Sequence, residues 1–154
     1  MSSKPVTQSS VKEKLKRDIV LRAMAGPSDI RLDTPQQIGH YFCMRNLTRE
    51  KGWAYVVLLD KSRRILNTFN LKMLGVPTTL TVTEEIDRAI AQEKRAKYFL
   101  IVHNHKGNPT DPSIADILTT NAIIDKYRDS SVKFIGHCIT SELDYTFIDP
   151  DGNF

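Results

Sequence analysis

Apolar residues along this chain recur at two spacings, and the switches between them mark its elements. From Val11 to Met24 the residues Val11, Leu15, Ile19, Val20, Ala23 and Met24 return every three to five positions, which predicts an amphipathic helix. Gly26-Pro27 ends it. Asp33 or Thr34 ahead of Pro35 supplies an N-cap with proline in the first turn, opening a second helix to about Asn46. Trp53 to Leu59 is an apolar run of strand length, Asp60 to Arg63 has turn chemistry, and Arg64 to Asn70 completes a hairpin. Thr78 to Thr83, rich in threonine, predicts an extended segment. Thr83 ahead of Glu84, Glu85 and Ile86 reads as the cap of a helix to about Arg95, with Ile86, Ala89 and Ile90 on one face.

Tyr98 to Val102 predicts a second buried strand that runs directly into His103-Asn104-His105. Lys106 to Pro112 is loop chemistry throughout. A helix from Asp111 or Pro112 to about Arg128 follows, with Ile114, Ile117, Leu118 and Ile124 as its core stripe. Val132 to Thr140 and Tyr145 to Ile148 close the chain as two strands. Helices and strands mixed in this order predict an α/β or α+β domain in three layers. Residues 1–9 are polar and predict a disordered tail, and residues 10–154 one domain.

Composition narrows the picture. With 154 residues, 40% of them hydrophobic, the chain can bury one core and has little room for a second. Two distant cysteines, Cys43 and Cys138, exclude a disulfide scaffold and read as small buried hydrophobes. The apolar runs are too short to cross a membrane, and no apolar stretch follows Met1-Ser2-Ser3-Lys4, so the expectation is a cytoplasmic protein with no membrane partner. The net charge of +4 is concentrated before residue 23. There Lys4, Lys12, Lys14, Lys16, Arg17 and Arg22 face only Glu13 and Asp18. Such an arm reads first as a solvated helix face, and as the second choice suits contact with DNA or an acidic partner.

The chemistry gathers in His103-x-His105, seven residues, then Ser113-x-x-Asp116. Histidines at i and i+2 at a strand end point to one side, so two imidazoles can converge on one ion. An aspartate in the first turn of the next helix can add an oxygen. Two histidines and an aspartate suit Zn²⁺ and leave a fourth position open for water. Ser113, one turn before Asp116, faces the same place and can donate to a developing oxyanion. Taken singly, Ser-x-x-Asp is also a common capping pattern. His137 lies in a strand that borders this site and fits a contact to the metal's ligands, a substrate contact or a core role.

The string from His103 to Asp116, HNHKGNPTDPSIAD, resembles the JAMM (MPN/JAB) metalloprotease motif, and within it the bacterial RadC-like branch. Val56 to Asp60, Val82 to Ile86 and His137 also match flanking features of that branch, so the resemblance covers roughly residues 10–148. It implies a JAB/MPN fold, a mixed sheet flanked by helices and related to the zinc cytidine deaminase fold. It further implies Zn²⁺ held by His103, His105 and Asp116, with Ser113 assisting the oxyanion and a glutamate serving as general base. Glu50, in Arg49-Glu50, is the first choice for that base. It stands two residues from the ungapped position, which Gly52 occupies, but a shift of two keeps strand parity. Glu85 is the reserve. Lys106-Gly107 replaces the usual Pro-Ser, and Gly136 stands where the branch often has aspartate before His137. Compared with longer members of the branch, the expectation is a chain without their N-terminal helix-hairpin-helix region.

These residues and their resemblance lead to a zinc-dependent hydrolase that cleaves a peptide or isopeptide bond in a peptide or protein substrate. Two alternatives stand beside it. One is a DNA-associated protein of repair or mobile elements, touching DNA through the basic N-terminal helix. The other is a metal-binding JAB scaffold without catalysis. A zinc deaminase is disfavoured, because the His-x-Glu and Pro-Cys-x-x-Cys signature is missing.

Overall fold

A computed structural model describes residues 30–46, 54–71, 79–105, 110–141 and 144–150. The expected tail, the basic first helix, Trp53 and Glu50 lie outside the described residues, as do residues 72–78 and residues 106–109 of the expected Lys106 to Pro112 loop. Helix α1 spans Pro35–Asn46, and strands β1 (Ala54–Leu59) and β2 (Ile65–Asn70) form the expected hairpin. Helix α2 (Thr79–Ala91), strand β3 (Tyr98–Asn104), helix α3 (Ile114–Tyr127) and strands β4 (Lys133–Thr140) and β5 (Tyr145–Ile148) follow. The five strands form one mixed sheet in the order β2-β1-β3-β4-β5. Among the described residues only β3 and β4 pair in parallel, and α3 is the crossover between them. Among the described residues no helix is long and apolar enough to cross a membrane.

The sheet is buried on both faces, and strand parity sorts its side chains. In β1, Ala54, Val56 and Leu58 join Phe99, Ile101, Ile86 and Ile123 in a core beneath α2 and α3. Tyr55, Val57 and Leu59 join Leu100, Val102, Ile38 and Phe42 in a second core beneath α1. Both cysteines are buried, in keeping with the sequence expectation. A Cβ added at Gly39 would overlap the Tyr145 ring, so glycine there lets α1 close on β5.

Several expectations about the helices are corrected. The stretch Thr78 to Thr83 is not extended: α2 begins at Thr79, and Thr83 lies inside it, buried, rather than capping it. Val82, Ile86 and Ala89 fall at helical spacing and are buried against the sheet, which overrides the β-propensity of the threonines. Helix α2 stops at Ala91 instead of running to about Arg95. Helix α3 starts at Ile114 behind the N-cap Ser113, and its buried residues are Asp116, Thr120, Ile123 and Tyr127. Of the expected stripe, Ile114 is 79% exposed, Ile117 47% and Leu118 61%. The helix is turned so that Asp116 faces the sheet. Tyr127 holds that orientation from the far end, its hydroxyl donating to Asp87 Oδ1 at 2.5 Å and lying 3.2 Å from Thr83 O.

Strand β4 carries a bulge. Phe99 pairs with Phe134, yet the next residue, Leu100, pairs with Gly136, so β4 contains one extra residue there. Gly136 has φ +152°, and a Cβ on it would overlap the Phe147 ring and approach Ile148 O to 2.7 Å. The bulge reverses parity. His137 pairs with Ile101 and joins the α3 face, while Cys138 pairs with Val102 and joins the α1 face.

The rotation of α3 sets the expected cost of truncation along it. Ile123→Ala should destabilise the domain by about 2–5 kcal/mol, whereas Leu118→Ser should stay within about 0.5 kcal/mol of wild type. Urea unfolding of the two variants measures both.

Candidate metal centre

Strand β3 brings the first two residues to the site. Phe99 and Ile101 point into the core beneath α2 and α3, so His103 leaves the strand on that same face. The His105 N–H donates to Thr140 O at 2.8 Å, which ties the chain to β4 just past the strand end. The two imidazole rings meet edge to face with centroids 5.0 Å apart.

Asp116 arrives from the first turn of α3. Ser113 Oγ accepts from the Asp116 N–H at 3.1 Å, and Asp116 Oδ2 accepts from the Ser113 N–H at 2.9 Å, a reciprocal capping box. The same carboxylate meets His103 Nδ1 through Oδ1 at 3.3 Å and His105 Nε2 through Oδ2 at 2.8 Å. Asp116 is 6% exposed. Burial alone would raise its pKa. The His103 contact and the bonds from Ser113 outweigh that and hold the carboxyl well below the usual carboxylate range.

The structure adds His137. It is buried, and its Nδ1 lies 2.8 Å from Thr120 Oγ1, which in turn donates to Asp116 O at 2.7 Å. His103, Asp116 and His137 each offer a ligand atom within 4.8 Å of the others. Burial pushes the His137 pKa down to about 4; the Asp116 carboxylate pulls it up, and His103 and His105 add to the lowering. Its Nε2 is buried and has no hydrogen-bond partner among the described residues. A buried polar atom left so costs about 1–3 kcal/mol, and a cation would satisfy it. Imidazole nitrogens beside a carboxylate oxygen are a donor set that fits zinc.

The structure therefore brings His103, His105 and Asp116 together, with Ser113 capping the helix at the edge of the cluster. Glu50 lies outside the described residues. Glu85 is inside α2, lining a cleft with Phe69, Asn70 and Arg88, and is not one of the three groups that converge. Thr120 went unnoticed in the sequence, although its place four residues after Asp116 puts it on the same helix face.

A family model described as "RadC-like JAB domain" matches residues 32–150. The chain belongs to the RadC-like JAB domain family. The five-stranded mixed sheet with flanking helices is the architecture expected of a JAB domain. Curated relatives carry the name UPF0758 protein. One from Staphylococcus carnosus is 25% identical over 128 residues, covering 81% of this chain and 55% of its own length. One from Acaryochloris marina is 30% identical over 91 residues, 59% of this chain and 37% of the relative. One from Syntrophomonas wolfei is 26% identical over 102 residues, 66% of this chain and 42% of the relative. The chain thus spans about half the length of the curated relatives it matches, or less.

His137 gives the metal-free JAB domain a pH dependence of known sign. Its folded pKa, about 4, lies below the ordinary 6.5 of an unfolded histidine. Between those values the unfolded chain binds the extra proton, so the stabilisation is complete above pH 6.5 and declines as pH falls towards 4. The expected loss is on the order of 3 kcal/mol. Denaturant melts in chelator across that range check it, and His137→Gln should flatten the slope.

Proposed function

We propose that this RadC-like JAB domain is a zinc-dependent hydrolase that cleaves a peptide or isopeptide bond. The observation that supports it most is the convergence of His103, Asp116 and His137 where β3 feeds the amino end of α3, with a buried nitrogen left over for a cation. His103, Asp116 and the histidines beside them would hold the ion. Zinc bound there supplies a Lewis acid that polarises a carbonyl and makes water acidic enough to ionise near neutral pH.

The protein's own groups complete the chemistry. Asp116 is ionised, and its two oxygens are divided between His103 and His105, so the carboxylate cannot rotate. Ser113 Oγ accepts one hydrogen bond from the Asp116 N–H as the helix cap. Its own hydroxyl hydrogen is left to donate to the oxyanion that forms as a carbonyl is attacked. Glu50 is assigned as the base that takes a proton from the attacking water and returns it to the leaving amine nitrogen.

Metal analysis of the purified chain, followed by a screen of peptide and isopeptide substrates, tests this reading. About one zinc per chain is expected, lost in His103→Ala and in Asp116→Ala together with turnover. Glu50→Gln should keep the metal and lose roughly 100-fold or more of the rate. Unchanged turnover in that variant would remove Glu50 as the base. Stoichiometric metal with no cleavage of any amide substrate would leave the non-catalytic scaffold in its place.

A further inference from the structure

A cleft of about 300 Å³ opens at the end of the sheet remote from the metal centre. Tyr98 and Lys133, which begin β3 and β4, line it, whereas His103 lies near the other end of β3. The stretch from Tyr98 to His103 spans roughly 17 Å of extended chain, so the cleft and the cluster around Asp116 are separate. The cleft exists because β4 outruns β5. Strand β5 pairs only with residues 137–140, which leaves the outer edge of residues 133–135 without a strand partner among the described residues. The carboxyl end of α3 lines the gap from above with Tyr127 and Arg128.

Two chemistries meet in the lining. Tyr98, Ile124 and Phe134 make an apolar wall. Arg63, Arg128 and Lys133 bring three cations against one carboxylate, Asp149. Arg63 owes its place to its backbone, with φ +63° in the left-handed region that few residues bearing a Cβ adopt. The turn between β1 and β2 holds it there: the Arg63 N–H donates to Asp60 O at 2.9 Å, and Arg63 O accepts from the Leu32 N–H at 2.9 Å. Its guanidinium lies 4.8 Å from the centroid of the Tyr98 ring, a contact that fixes a planar fork of donors at the cleft. Arg128 pairs with Asp125 at 2.7 Å, but the two side chains are 66% and 72% exposed. Such a pair is weak in water and yields to a ligand of higher charge. Lys133 is exposed at the same rim.

Guanidinium forks and an ammonium group together are the recognition set for phosphate. A phosphate monoester carries about −1.5 to −2 charges at neutral pH, which balances the excess of cations over Asp149. The apolar wall suits a ligand that also brings a flat, poorly hydrated body. We propose that this cleft binds a phosphate monoester carried on a flat ring system, the chemistry of a nucleoside monophosphate. Arg63, Arg128 and Lys133 hold the phosphate, and the wall of Tyr98, Ile124 and Phe134 takes the ring. The site is independent of the hydrolase reading and does not rest on it.

Amide NMR of the full chain as purified, titrated with adenosine 5′-monophosphate, tests the assignment. Saturable shifts are expected at Tyr98, Arg128 and Phe134, with a Kd below about 1 mM. Adenosine alone and inorganic phosphate alone should each bind roughly 10-fold more weakly or worse, because each keeps half of the contacts. Lys133→Gln and Arg128→Gln change exposed side chains, so each should keep the wild-type spectrum while weakening the nucleotide roughly 10-fold. Affinity unchanged in the double variant overturns the site, as does the absence of any saturable shift. Shifts confined to His103, His105 and Asp116 overturn it too, by placing the nucleotide at the metal centre. Inorganic phosphate that binds as tightly as the nucleotide overturns the ligand class and leaves an adventitious ion only.

Discussion

A buried carboxylate has to be met by donors, and in this domain Asp116 is that carboxylate. It finds them in two histidines from the end of β3 and in the Ser113 N–H one turn earlier in its own helix. The rotation of α3 follows. Once Asp116 faces the sheet, Thr120, Ile123 and Tyr127 must face it too, because they lie four, seven and eleven residues on. Ile114, Ile117 and Leu118 are then carried outward. A hydrophobic stripe that the sequence alone would bury is given up at the first two turns in favour of a satisfied ionised group.

The sheet supplies the other half of the geometry. Parallel pairing of β3 and β4 with α3 as the crossover sets the helix start directly over the strand end. Strand parity then puts His103 and His105 on the helix side. Parity by itself would have sent His137 away, and the bulge at Gly136 is what returns it. The cluster thus draws on one strand end, one helix start and one irregularity in a neighbouring strand. Each alone is commonplace; together they place imidazole nitrogens beside a buried carboxylate, a donor set that fits a metal ion.

Membership of the RadC-like JAB domain family accords with this arrangement. One departure from the branch's usual pattern and one feature shared with it acquire meaning from it. Glycine at 136 accommodates the positive φ of the bulge and the contact with Phe147. The capping box of Ser113 and Asp116 shows that the structural and chemical readings of Ser-x-x-Asp are compatible: one Oγ lone pair caps the helix, and the hydroxyl hydrogen is left over.

The elements of the sheet were legible from residue patterns. Continuous burial along β1 and through the middle of β3 needs only local β-propensity and apolar runs, both readable from Trp53 to Leu59 and from Tyr98 to Val102. The string from His103 to Asp116 was legible as well, since its spacing is short-range and strand parity and helix pitch convert it into convergence. Tertiary structure decided the rest. Thr79 to Val82 became helical because packing against β1 outweighs the preference of threonine for extended backbone. The face of α3 was chosen by Asp116, whose partners lie eleven or more residues away along the chain. The side taken by His137 was chosen by a bulge that exists only in the pairing of two strands, so no pattern within β4 alone could reveal it.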